Sequence, residues 1–141
     1  IGEPNVQIDR PAKVGKETFS WQQYTTVDLD GEVDFGDIFG SLEAKAMYAY
    51  AEVTFPEAGE VVLAIGSNDG HICWLNGEEV GRCASAGGRR YVASQDHIKV
   101  QVKQGANTVL VKVTQIAGSW GFNVRFLTPD GQPVPIRQPV P

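Results

Sequence analysis

The sequence predicts an all-β fold, an antiparallel β-sandwich or jelly roll, on three observations. Apolar residues recur at every second position over most of the chain, the period at which strand side chains alternate between two faces. Sixteen Gly and eight Pro among 141 residues divide these runs with frequent turns. No long amphipathic helical pattern interrupts them. Strands joined by short connections build two packed sheets or a closed roll.

The elements follow in order. Met47, Ala49, Ala51, Val53 and Phe55 form one face of a strand, and Tyr48, Tyr50, Glu52 and Thr54 the other. This predicts a half-buried strand with an aromatic outer or second-sheet face. Residues 60–66 (Glu-Val-Val-Leu-Ala-Ile-Gly) are more uniformly apolar, as in a central strand. Residues 71–75 and 78–82 form a hairpin around Asn76-Gly77, a pair that accepts the positive φ of a type I′ turn. Asn68-Asp69-Gly70 is a second polar turn just before it. Ile98, Val100 and Val102 alternate with Lys99, Gln101 and Lys103, residues 107–115 make a strong strand, and Phe122, Val124 and Phe126 share one face of the last. Residues 34–46 (Asp-Phe-Gly-Asp-Ile-Phe-Gly-Ser-Leu-Glu-Ala-Lys-Ala) have room for one helical turn, a reading that their glycines weaken.

Length predicts one domain, residues 1–130, followed by a Pro-rich tail over 131–141 that contains four of the eight prolines. Proline at that density suits an edge segment passing into a linker, and a linker implies a neighbouring domain. The chain lacks both a starting Met and an apolar signal core, so it reads as excised from something longer. Net charge is −5, and basic residues do not cluster beyond Arg89-Arg90. These features argue against nucleic acid and anionic membrane surfaces as partners. No apolar run approaches the ~20 residues that insertion across a bilayer requires.

Cys73 and Cys83 flank the hairpin. In ideal register Cys73 faces Val80, which puts Cys83 on the opposite sheet face and argues against a disulfide; a bulge near Gly81 reverses that. His71 and Cys73 share a face, but zinc requires two more converging ligands, and no such spacing is present. No nucleophile motif or paired-carboxylate motif marks an enzyme.

Several residues are candidates for binding. Asn68 and Asp69 offer oxygen donors to sugar hydroxyls or calcium; equally, Asp69 accepts backbone N–H bonds in a turn where Gly70 supplies positive φ. Trp21 and Tyr24 are open to either a core or a platform role. Trp74 shares a face with Ile72 and leans inward; Trp120, which shares parity with Phe122, leans inward too but stays a candidate ring for stacking on sugar beside Trp21 and Tyr24. Arg90 and Tyr91 lie in a Gly-containing polar loop, suited to an acidic sugar or to solvent. Asp28 and Asp30 open an acidic run that resembles the start of a calcium loop but lacks the Gly and Glu spacing of an EF-hand, so it reads equally as a solvated loop.

Residues 66–80 (Gly-Ser-Asn-Asp-Gly-His-Ile-Cys-Trp-Leu-Asn-Gly-Glu-Glu-Val) together with 98–126 resemble the second half of galactose-binding-like jelly-roll modules. The resemblance covers roughly 60–128 and rests on the Ser-x-Asp-Gly turn, the Trp-Leu-Asn-Gly hairpin, the Gly-x-Asn turn and Gly-Ser-Trp-Gly-Phe. It implies a non-catalytic carbohydrate-binding accessory module of a secreted or cell-surface protein, with a polysaccharide or oligosaccharide as partner. No cofactor is required, though several such modules carry a structural calcium. Protective-antigen-type lectin domains have a similar turn with two acids on calcium; here the pair is Asn68-Asp69, one carboxylate fewer. A structural or protein-interaction sandwich is the competing expectation, and it requires Trp74 and Trp120 to be buried.

Overall fold

The structure is a computed structural model that describes residues 7–14, 16–26, 29–40, 45–84 and 88–138. Its elements are β1 (Ala12–Val14), β2 (Glu17–Phe19), β3 (Val33–Asp34), α1 (Phe35–Phe39), β4 (Lys45–Phe55), β5 (Gly59–Asn68), β6 (Gly70–Leu75), β7 (Glu78–Cys83), β8 (Asp96–Val102), β9 (Gly105–Gln115) and β10 (Gly121–Leu127). Two antiparallel four-stranded sheets form a β-sandwich. One has the order β3-β10-β5-β8 and the other β4-β9-β6-β7, with β1 and β2 as a separate hairpin. After α1 the chain changes sheet at every connection except the β6–β7 hairpin.

The core lies between the sheets. Val53, Phe55, Leu63, Ile65, Val111, Val113 and Phe126 are buried there, and Phe55 meets Phe126 edge-on at 4.9 Å. The predicted face of β4 is the core face, and 60–66 sits in a central strand, between β10 and β8. α1 is the single helical turn that the sequence allows. Asp34 caps it, its Oδ1 accepting from Gly36 N at 2.7 Å and Asp37 N at 3.2 Å.

Two side-chain directions differ from the sequence reading, and both lie in the hairpin. The tip is as expected: Asn76 and Gly77 have φ of 51° and 81°. A register shift between Cys73 and Trp74 then leaves Val80 as the extra residue, so Cys73 faces Gly81 and His71 faces Cys83. Both cysteines therefore share the core-side face, and both are free thiols. Trp74 is buried, at 4% exposure, but not between the sheets. Cys73 and Leu75 take the core side of β6, and strand alternation sends Trp74 to the outer face, beside Leu110 of β9.

The tail lies against the sandwich as far as Arg137. Val134 N donates to Phe126 O at 3.1 Å, and Arg137 exchanges two backbone bonds with Thr54 (2.8 and 3.1 Å). β10 is covered by β3 over only two residues, so this segment straps the side of the sandwich between β10 and β4. Val134 and Ile136 pack against the core there.

Candidate functional site

The β5–β6 corner, the β7–β8 loop, the β9–β10 loop and the segment containing α1 gather at one end of the sandwich. Asp69 organises this end. It is 3% exposed, and each carboxylate oxygen takes a backbone donor: Oδ1 accepts from Arg89 N at 3.0 Å and Oδ2 from Ile116 N at 2.7 Å. One side chain thus ties two loops to the corner. The Asn68–Asp69 peptide is cis. Gly70 does not take positive φ; it is a buried β6 residue paired with Thr114. Asn68 Oδ1 is buried, with no donor among the described residues.

Arg89, passed over in favour of its neighbour Arg90, is the second organiser. Its Nε donates to Ser67 O (3.0 Å), Nη1 to Cys83 Sγ (3.0 Å) and Nη2 to Asp96 Oδ2 (2.7 Å). The same Asp96 oxygen is 3.9 Å from His71 Nε2, and His71 Nδ1 is 2.8 Å from Ser67 Oγ. Ser67 Oγ also donates to Asp69 O at 3.0 Å. Burial, the largest influence, holds the His71 pKa below its usual value against the pull of Asp96. Burial also pushes the Cys73 thiol up to about 12. Ser67, His71 and Asp96 are the residue types of a nucleophile triad, but Ser67 and His71 are buried, so the hydroxyl is closed to substrate. The group is instead a buried polar plug. Sequence alternation gives no signal for it: Trp74 and Ile72, read as inward, put His71 on the opposite face, and only the packed sheets show it on the core side.

Asn123 closes the same end from β10. Its Oδ1 accepts from Gly66 N and Ser94 N, and its Nδ2 donates to Asp30 O. Asp30 Oδ1 accepts from Glu32 N, and its Oδ2 takes the Tyr91 hydroxyl at 3.1 Å. Tyr91 and Asp30 are thereby brought together, whereas Arg90 is exposed and contributes its carbonyl to Gln95. Asp28 lies outside the described residues. Among the described residues, no three His, Cys, Asp or Glu side chains converge as a ligand set. An open depression of about 410 Å³, lined by Asp34, Gly36, Asp37, Gly118 and Ser119, lies at this end. Trp120 is near it but is 1% exposed, with Nε1 directed to Gly40 O and its ring 5.1 Å from Phe35, so it presents no open ring face.

A second group of aromatics lies on the outer face of the β4-β9-β6-β7 sheet. Tyr50, Leu110 and Trp74 form a row across three strands. Trp21, half-buried, meets Tyr50 edge-on at 6.5 Å. Tyr48 shares this face two residues along β4, is 36% exposed, and carries Lys112 Nζ over its ring at 5.5 Å. Tyr24, three residues beyond Trp21, is 47% exposed. Of the predicted aromatics, Trp21 and Tyr24 are accessible and Trp120 is not. Comparison with protein-family models, with curated proteins and with solved structures finds no match to this chain.

Proposed function

We propose that this chain is a non-catalytic carbohydrate-binding accessory module of jelly-roll type, belonging to a secreted or cell-surface protein. In this reading it holds an oligosaccharide or polysaccharide on the outer face of the β4-β9-β6-β7 sheet. The observation that carries the proposal is the group of rings there: half-buried Trp21 against Tyr50, and Tyr48 on the same strand face, with Tyr24 exposed three residues beyond Trp21 in the chain. Sugar rings have apolar C–H faces, and amphipathic aromatics bind such faces while their polar tips stay wet. Exposed apolar surface of this kind marks binding sites. Two sheets of order β3-β10-β5-β8 and β4-β9-β6-β7, with nearly every connection crossing between them, support the jelly-roll reading. Tethered to a partner domain, such a module raises that domain's effective concentration on its polymer.

Affinity electrophoresis and calorimetry against a panel of soluble glycans test this. Binding is expected, weakened at least about tenfold by Trp21→Ala or Tyr48→Ala. Absence of binding across the panel would overturn it.

A second reading, a structural or protein-docking module, is favoured by the burial of Trp74 and Trp120 and by the occupation of both Asp69 carboxylate oxygens by backbone amides. Iodide quenching separates the two. Trp21 fluorescence is expected to be quenched by iodide and protected by a bound glycan, whereas a docking module shows no glycan-dependent protection.

A further inference from the structure

We infer that the loop end contains an acid-released catch: when His71 takes up a proton, the Asp96 carboxylate passes from Arg89 to His71, and Arg89 leaves the cluster. The hydrogen bonds locate the proton of the neutral ring. Ser67 Oγ has a single hydrogen and gives it to Asp69 O at 3.0 Å. Toward His71 Nδ1, 2.8 Å away, the same oxygen therefore accepts. Neutral His71 thus has its proton on Nδ1. Its Nε2 is bare and faces Asp96 Oδ2 at 3.9 Å, the oxygen that accepts from Arg89 Nη2 at 2.7 Å. With the ring neutral, one guanidinium and one carboxylate balance.

A proton on Nε2 breaks that balance. The charges that act on His71 are those of Asp96, from β8, and Arg89, from the β7–β8 loop. Around them β5 presents Ser67, β7 Cys83 and β9 Val113, and Cys73 is the titratable neighbour on β6 itself. Two cations then share one carboxylate in a largely buried cluster, and an uncompensated charge there is costly. His71 is held in place: its ring is 1% exposed, and its backbone pairs with Val113 on one side and Cys83 on the other. A guanidinium does not give up its proton, so Arg89 must move instead. Its side chain is 18% exposed and lies on a loop between exposed Gly88 and Arg90. Leaving costs it the bonds to Ser67 O and Cys83 Sγ and draws its amide from Asp69 Oδ1. Nε2–H then closes on Asp96 as a charge-assisted bond. Ile116 N keeps the other Asp69 oxygen, so the opening is confined to the Arg89 side of the corner.

Nuclear magnetic resonance on the full chain tests this, from neutral pH down to about pH 5, above the ordinary carboxylate range near ~4. At neutral pH the ring ¹⁵N shifts of His71 are expected to show Nδ1 protonated and Nε2 bare. Below 6.5 the exchange protection of the Arg89 amide and Nε–H should fall, by up to about tenfold per pH unit, the slope of an opening that takes up one proton. The fall should level off where His71 itself titrates in the folded protein. Protection of the Ile116 amide and of the β5 and β9 strand amides should hold throughout. In His71→Gln, which takes up no proton, Arg89 protection should not change over this range. A neutral ring protonated on Nε2 overturns the inference. So does Arg89 protection that runs parallel to that of Ile116 through the titration, or a His71→Gln variant that keeps the fall. If that variant does not fold, the wild type decides: a fall that continues past the His71 titration overturns the inference, and one that levels off there supports it.

Discussion

Asp69 shows how much one buried carboxylate organises. Its oxygens hold amides from two different loops, and both lose their partner if the side chain is removed. A bond to a charged acceptor contributes about 1.5–3 kcal/mol, so Asp69→Ala is expected to cost about 3 kcal/mol in urea unfolding. Asp69→Asn, which keeps one acceptor, should cost roughly half as much. His71 makes the same end sensitive to acid. Its folded-state pKa lies below its ordinary 6.5, because burial disfavours the imidazolium. The unfolded chain therefore binds the proton more readily, and stability is full above 6.5 and lost as pH falls through the folded-state value. Unfolding titrations at neutral and acidic pH should show this loss in the wild type and a flatter dependence in His71→Gln. The backbone-accepting role of Asp69 was among the sequence readings. Arg89 was not legible, because two adjacent arginines in a glycine-rich loop have no periodicity to say which one turns inward.

At the scale of elements, close backbone approach decides the packing of the loops on the sheets. A Cβ on Gly66 would lie 2.2 Å from Val92 O and 2.8 Å from Asn123 Oδ1. Backbone does not yield as a flexible side chain does, so Gly66→Ala should push the 92–94 turn off β5 and destabilise by about 3 kcal/mol, as seen by denaturant unfolding. In the β6–β7 hairpin, alternation identified both strands and their tip. The bulge escaped it, and one extra residue reversed the face of Cys83. A Cβ on Gly81 would lie 2.4 Å from Ile98 Cδ1 of the facing sheet, so the end of that side chain would have to shift to admit one. β1, β2 and β3 were also missed; they have two or three residues each, too few for a period to show.

For the whole molecule, the tail belongs to the sandwich as far as it is described. Its Pro-rich composition suggested an edge segment leading to a linker, and residues 133–137 do line the edges of both sheets. Cutting the chain after Gly131 removes the contacts of Val134 and Ile136 with the core and the two bonds to Thr54. Half-burial of two such side chains contributes about 1 kcal/mol each, so the truncated protein should lose about 2 kcal/mol and melt several degrees lower. It should also aggregate more readily, with more of β4 and β10 left as open edge.

Period-two alternation and Gly, Pro and Asn-Gly punctuation were enough to determine an all-β chain, its seven longer strands, and the core face of β4 and β10. Those signals are local, since each strand must bury one face whatever its neighbours are. Tertiary structure alone decided that Trp74 is buried on the outside of its sheet, that Arg89 rather than Arg90 enters the loop end, and that Asp69 is filled by the protein's own amides. Each of these depends on groups distant in sequence that meet only when the sheets close, and the alternation of a single strand contains no record of what will cover its second face.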